Sequence, residues 1–316
     1  MKKIAVFLKV DDPLNQKMID VAKQYGYQVE FYPNQHDFEP DDEVEILFAT
    51  NAGLIEKCKN LKWMALFSAG VPAAVLEKLP AECFLTNSSG AYGLTLAEHM
   101  VMQTLMIIRG MPVYFESSVK HEWHKPVPQI SIKDARVTVL GAGDIGTNYA
   151  KRVRSFEPKQ IIAVNRSGVS KEEVYDEVYP ISKLEEVLPD TDILAMSLPG
   201  TPATKNIINE HTLSLMPKGS YIINVGRGNS VDEKALMEAL NNNHLAGAAL
   251  DVFETEPLPA DSSLWTTKNL IITPHVAGNQ TVQYTREKIV DMFCENIENI
   301  TLNKPLKYTV NRKLGY

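Results

Sequence analysis

The run Val137-Thr138-Val139-Leu140-Gly141-Ala142-Gly143-Asp144-Ile145-Gly146 decides how this 316-residue chain folds. Four β-prone residues lead into G-x-G-x-x-G, and an amphipathic stretch from Asp144 to Phe156 follows. Strand, glycine turn and helix in that order predict a dinucleotide-binding turn. Gly141 makes the tight turn, Gly143 lets a pyrophosphate approach the backbone, and Gly146 lets the helix lie close to the strand. The N–H groups at the helix start, around Asp144 and Ile145, then hold the phosphates. The bland alternative is an ordinary glycine turn.

The next strand, Ile161 to Val164, ends in Asn165-Arg166-Ser167. A site that takes NAD places a carboxylate there, against the ribose 2′-hydroxyl. Asn165 stands in its place, so nothing anionic repels a 2′-phosphate. The fork of Arg166 can pair with that phosphate and Ser167 can add a hydroxyl. NADP is therefore expected as the preferred cofactor. NAD remains possible, with Arg166 facing solvent and both cofactors accepted.

On either side of the loop, short β-rich runs alternate with helical ones. Before it come strands at Ile4 to Val10, Gln28 to Tyr32, Ile46 to Thr50 and Trp63 to Phe67, with a helix from Asn15 to Tyr25. After Gly93 a long helix is expected from Leu94 to Arg109, ended by Gly110 and Pro112. Beyond the loop, strands are expected at Ile193 to Ser197, Tyr221 to Asn224, Ala246 to Ala249 and Leu270 to Ile272. Helices are expected at Asp232 to Asn241 and Thr281 to Asn299. This alternation predicts an α/β protein with two doubly wound parallel-sheet domains.

Composition narrows the function classes. A net charge of −7 argues against nucleic acid as a general partner. The opening apolar run is too short for a signal peptide, and no run reaches the roughly 20 residues of a membrane span. Cys58, Cys83 and Cys294 are scattered and odd in number, which predicts buried thiols, a reducing compartment and a cytoplasmic location. No cluster of His, Cys, Asp and Glu has metal-ligand spacing, so no metal is expected.

Three later segments end apolar runs in polar residues: Ile222-Ile223-Asn224-Val225-Gly226-Arg227, Leu250-Asp251-Val252-Phe253-Glu254-Thr255-Glu256 and Ile271-Ile272-Thr273-Pro274-His275. Residues past the carboxyl ends of parallel strands line the ligand crevice of such sheets. Taken singly, Arg227 reads as a surface charge, Glu256 as a solvated loop acid and His275 as a helix-entry residue. The other histidines, His36, His99, His121, His124, His211 and His244, have no comparable context.

Together, GAGDIG from Gly141, NVGRGNSVDEKAL from Asn224, LDVFETEPLP from Leu250 and TPHVAG from Thr273 resemble the D-isomer-specific 2-hydroxyacid dehydrogenase family, in its glyoxylate/hydroxypyruvate reductase-like form. The resemblance covers nearly the whole chain. It implies hydride transfer between NADP(H) and a small 2-keto acid or D-2-hydroxy acid of the glyoxylate, hydroxypyruvate or pyruvate type. Arg227 would bind and polarise the keto acid, His275 would be the general acid, and Glu256 would orient it and stabilise its cation. Asp251 would lie near the nicotinamide carboxamide.

The resemblance also implies a Rossmann cofactor domain, residues 98–279, inserted into a flavodoxin-like substrate domain, residues 1–97 plus 280–316. Ser68, Ala69 and Gly70 would offer backbone N–H groups to the substrate carboxylate, or simply make a tight turn. Tyr92 would touch a substrate side chain or pack, and Trp265 is expected in the core. Arg109 to Pro128 resembles an arm that joins two copies into a homodimer. Two alternatives stay open: an NAD-dependent enzyme for another acid, and a cofactor-sensing corepressor-like binding protein.

Overall fold

The structure is a computed structural model that describes residues 2–315. Along the chain run β1 (Lys2–Val6), α1 (Asp12–Gln24), β2 (Tyr27–Phe31), β3 (Val44–Phe48), β4 (Trp63–Ala65), α2 (Ala73–Lys78) and β5 (Phe84–Thr86). Then come α3 (Gly93–Ile108), α4 (Met111–Val119), β6 (Arg136–Leu140), α5 (Asp144–Val153), β7 (Gln160–Asn165) and β8 (Glu177–Pro180). They are followed by α6 (Leu184–Val187), β9 (Ile193–Met196), α7 (Glu210–Leu215), β10 (Ser220–Asn224), α8 (Glu233–Asn241), β11 (Leu245–Leu250), β12 (Leu270–Ile272) and α9 (Gln283–Thr301). The chain divides into two compact units: residues up to Tyr92 together with those from Gln280 on, and Gly93–Asn279.

In the first unit the parallel sheet has the order β2-β1-β3-β4-β5, the flavodoxin-like arrangement. The first strand stops at Val6 rather than Val10. Phe7 still pairs with the Phe48 carbonyl, but the chain must then turn into α1, which starts earlier than expected. Asp11 caps that helix by accepting from the Leu14 N–H, and Pro13 sits in its first turn. The core is aromatic where the C-terminal helix lands. Phe293 stacks on Phe48 with ring centroids 3.9 Å apart and lies 5.2 Å from Trp63, whose indole N–H donates to Thr86 at 2.9 Å. Ile289, Phe293 and Ile297 repeat every four residues, so one stripe of α9 is buried.

The second unit carries a parallel sheet of order β12-β11-β10-β9-β6-β7-β8, the Rossmann order extended by one strand. The edge strand β8 ends in Pro180 and starts with an exposed glutamate, a composition that suits an edge and hides a strand from pattern reading. The helix α3 is buried along most of its length. It lies so close to β11 that a side chain at Gly247 would come within 2.6 Å of Ile107. Within the expected arm, Met111–Val119 is helical, with Pro112 in its first turn and Gly110 left-handed just before it. Trp265 corrects one expectation: it is half-exposed, its indole N–H held by the Pro259 carbonyl, and Leu264 enters the core instead. Among the described residues no helix is long and apolar enough to cross a membrane.

Removing the ring that both Phe48 and Trp63 contact leaves a cavity under α9. The Phe293→Ala protein is expected to lose roughly 3–5 kcal/mol of unfolding free energy, read as a lower urea midpoint.

Candidate active site

The three glycines of the loop have separable jobs. Gly141 has a positive φ of 102°, and a side chain there would press within 3.0 Å of the Ser197 carbonyl. At Gly146 a Cβ would meet the Gly141 carbonyl oxygen at 2.2 Å and Val139 at 2.7 Å, because α5 rests directly on the turn and on β6. Gly143 differs. It is extended, with φ −86° and ψ −158°, it immediately precedes the first turn of α5, and a Cβ built on it meets nothing within 4 Å. Packing demands two of the glycines, and the third leaves an open cradle at a helix N-terminus, which fits a pyrophosphate. Ile145 is half-buried in the first turn, and Asp144 turns its carboxylate to the Gly93 backbone and to Asn148. That is why α3 must begin with glycine: a Cβ on Gly93 would fall 2.2 Å from the carboxylate.

At the end of β7, Asn165 is a turn-former. Its Oδ1 accepts from the N–H groups of Ser167 at 3.0 Å and Gly168 at 2.8 Å, and its Nδ2 donates to the Val169 carbonyl. The asparagine thus replaces a carboxylate with a neutral group that shapes the loop. Arg166 and Ser167 are exposed on this loop.

The ends of β10, β11 and β12 bring together the other polar residues of this unit. Asn224, fully buried, accepts from the Gly226 N–H and donates to the Arg227 carbonyl, which fixes the turn carrying Arg227. Gly228 lies flat against the Phe253 backbone, where a Cβ would overlap at 1.9 Å, so the Arg227 turn and the Glu256 loop are pressed together. Glu256 accepts from the Phe253 N–H at 2.9 Å through one oxygen and from His275 Nδ1 at 2.7 Å through the other. The His275 ring is half-exposed and its backbone is left-handed, with φ 52°. Arg227 is half-buried; burial pushes its pKa down and the nearby charge of Glu256 pushes it back up. It remains a cation all the same.

Asp251 is buried beneath these groups. Its backbone carbonyl accepts from the His275 N–H at 2.8 Å. Its carboxylate accepts from the Val276 and Ala277 N–H groups, each at 3.0 Å, and from the Thr273 hydroxyl at 2.6 Å. From α3, His99 and Gln103 reach the same hydroxyl at 3.2 and 3.1 Å. Inspection of the sequence leaves His99, Gln103 and Thr273 without a role. The legible signal is a histidine and a glutamine four apart on a largely apolar helix, one turn apart on the same face.

In the first unit, Ser68, Ala69 and Gly70 form a half-buried turn after β4. The Ser68 hydroxyl donates to the Gly70 carbonyl and Asn87 donates to the Ala69 carbonyl. Tyr92 is buried, its hydroxyl donating to the Phe67 carbonyl at 2.5 Å and accepting from Gln280 at 3.3 Å, so it packs.

Residues 101–277 match the model of the D-isomer specific 2-hydroxyacid dehydrogenase, NAD binding domain. The chain belongs to this family. As a member it is an NAD(P)-dependent oxidoreductase, and the matched span includes both the glycine loop and the three strand ends. It is 31% identical over 268 residues to glyoxylate/hydroxypyruvate reductase A of Salmonella paratyphi C, covering 82% of this chain and 83% of the relative. Among solved structures it resembles a D-isomer specific 2-hydroxyacid dehydrogenase family protein from Aeromonas salmonicida (30% identity, TM-score 0.86, 98% and 99% covered). It also resembles an NADPH-dependent glyoxylate/hydroxypyruvate reductase from Sinorhizobium meliloti, solved with NADP and sulfate (27% identity, TM-score 0.84, both chains fully covered).

The open face of Gly143 separates binding from folding in this dehydrogenase. Gly143→Ala is expected to keep the thermal midpoint of the cofactor-free protein while raising Kd for NADPH about tenfold or more. Gly146→Ala overpacks the helix against the turn and is expected to cost about 1–3 kcal/mol of stability. Differential scanning fluorimetry and a fluorescence titration distinguish the two.

Proposed function

We propose that this dehydrogenase reduces a small 2-keto acid of the glyoxylate, hydroxypyruvate or pyruvate type to its D-2-hydroxy acid, with NADPH preferred over NADH. The observation that carries the reading is a desolvated cation beside a poised proton donor. Among the described residues the Arg227 guanidinium donates only to its neighbour's carbonyl, Gly226, at 2.7 Å, and Glu256 is committed to Phe253 and His275. A half-buried arginine left without a carboxylate partner is suited to an incoming anion, and its fork matches a carboxylate next to a carbonyl.

The bound nicotinamide cofactor supplies the hydride that C2 of the keto acid accepts. The chain's residues do the rest. Arg227 holds the acid and polarises its carbonyl. His275 gives a proton to the carbonyl oxygen, and Glu256 on Nδ1 fixes the ring so that Nε2 carries that proton. As the proton leaves, the imidazolium becomes neutral; in the oxidative direction His275 takes the proton back. The glycine loop and the start of α5 hold the pyrophosphate, Arg166 and Ser167 take the 2′-phosphate, and Asp251 supports the nicotinamide side chiefly by shaping the His275 turn. The N–H groups of Ala69 and Gly70, which donate to no other described residue, suit a substrate carboxylate.

The similar Sinorhizobium reductase is NADPH-dependent, which supports the cofactor preference. Exposed Phe115, Val119 and Trp123 on or beside α4 support a homodimer, and the three buried thiols support a cytoplasmic location.

The test is kcat/KM for NADPH and for NADH across glyoxylate, hydroxypyruvate and pyruvate. NADPH is expected to win, and His275→Gln is expected to lose about 100-fold or more in kcat. No turnover in protein that binds cofactor would overturn the reading. Arg166→Ala is expected to lower kcat/KM for NADPH about 10-fold or more while leaving NADH within about threefold; an equal loss with both cofactors would remove Arg166 from 2′-phosphate recognition.

A further inference from the structure

We propose that His99 is a positioning residue for His275, acting through the Thr273 hydroxyl and the Asp251 carboxylate that together shape the His275 turn. The inference rests on the reading of His275 as the proton donor and adds a second ionisable group to it.

The geometry assigns the protons. A threonine hydroxyl has one hydrogen and two lone pairs. The Thr273 hydrogen goes to Asp251 Oδ1 at 2.6 Å. Its lone pairs must then accept, from Gln103 Nε2 at 3.1 Å and from His99 Nε2 at 3.2 Å. His99 therefore carries a hydrogen on Nε2. Gln103, fully buried, leaves its carbonyl oxygen without a partner among the described residues, which is unfavourable. A buried amide held in that way marks the donation to Thr273 as the interaction the site keeps.

The same Asp251 oxygen that takes the Thr273 hydrogen accepts from the Val276 N–H, and its partner oxygen accepts from Ala277. The residue between these contacts, His275, is in the left-handed region, where a side-chain-bearing residue stays only if its neighbours hold it. The chain of contacts from α3 to His275 thus runs His99, Thr273, Asp251, then the turn itself.

Protonation of His99 changes that chain. Its ring nitrogen lies 3.8 Å from Asp251 Oδ1, so a cation there competes with the Val276 N–H for the carboxylate. Burial holds the His99 pKa below the ordinary histidine value, with Asp251 opposing, so the neutral ring is favoured and the cation forms only at lower pH than for an exposed histidine. The other ionisable groups on the elements packed against α3 are accounted for. On α5, Tyr149 pairs with Thr104, Asp144 faces Gly93, Lys151 pairs with Glu172 and Arg152 donates to the Asn148 carbonyl. Tyr221 on β10 has its pKa raised by burial. On α4, Tyr114 accepts from the Val127 N–H, and Glu116 pairs with Lys120 just beyond the helix. The strand β12 has no ionisable side chain.

The experiment is a pH profile of kcat/KM from about pH 5 to pH 9 with NADPH and glyoxylate, for wild type, His99→Gln and His99→Leu. Glutamine can still donate to Thr273 but cannot become a cation. Its acid limb is expected to move down by about one pH unit, with most of kcat retained. Leucine removes the donor, and kcat is expected to fall about tenfold across the range with KM for NADPH held within about twofold; recovery in the glutamine protein separates the hydrogen bond from simple packing. An acid limb that stays put in both variants, or equal losses in both, overturns the proposal. The imidazole 1H–15N spectrum of the full-length protein reads the coupling without turnover. The His275 resonance is expected to shift as His99 titrates in wild type and to lose that step in His99→Gln. If His275→Gln is as active as wild type, the reading of His275 fails, and the spectrum alone decides whether His99 is coupled to it.

Discussion

A single buried carboxylate organises the cofactor-binding unit around the candidate site. Asp251 sits at the end of β11 and accepts three hydrogen bonds through its side chain, while its carbonyl takes the His275 N–H. A buried carboxylate is tolerated only when donors replace the water it has lost. Here the donors all come from the segment just beyond β12, so solvating Asp251 and bending the chain into the His275 turn are one event. The left-handed backbone at His275 follows from that constraint. So does the distance to Glu256, because the ring can be directed at a carboxylate only from a turn that does not move.

The glycines play the complementary part. Where Asp251 draws segments together by hydrogen bonds, Gly146, Gly226 and Gly228 let backbones meet at distances a Cβ would forbid, and Gly247 leaves room for the Ile107 side chain. The α5 helix rests on β6, the Arg227 turn rests on the Glu256 loop, and α3 rests on β11. Each close approach brings a polar residue to the carboxyl end of the sheet. Gly143 is the exception, and its open face is the best internal sign that this turn exists for a ligand.

His99 shows how a pattern can be visible and still uninformative. On α3 it looks like a satisfied histidine on an apolar helix. Only its distance to Thr273, a residue 174 positions away, turns it into part of the site. The asparagine at the end of β7 is the converse case. Its substitution for a carboxylate is readable at once, and its hydrogen bonds to Ser167 and Gly168 show that it also builds the loop on which Arg166 and Ser167 stand.

The sequence by itself determined the parallel α/β class, the glycine turn, and the three strand ends that carry Arg227, Glu256 and His275. These signals are local: periodicity, punctuation by glycine, and apolar runs ending in polar residues all lie within a dozen neighbours. It missed β5 and β8, because β5 is a short strand that opens on an exposed phenylalanine and ends in threonine, and β8 is an edge strand ending in proline, so neither makes an apolar run that stands out. It placed Trp265 in the core, because an indole is most often buried and nothing local shows that Leu264 takes that place. Tertiary structure alone decided the hydrogen-bond chain from His99 to Asp251, the separate duties of the three loop glycines, and the seating of Phe293 between Phe48 and Trp63. The physical reason is common to all three: each depends on which backbones approach one another, and that is fixed by packing between segments far apart in the chain.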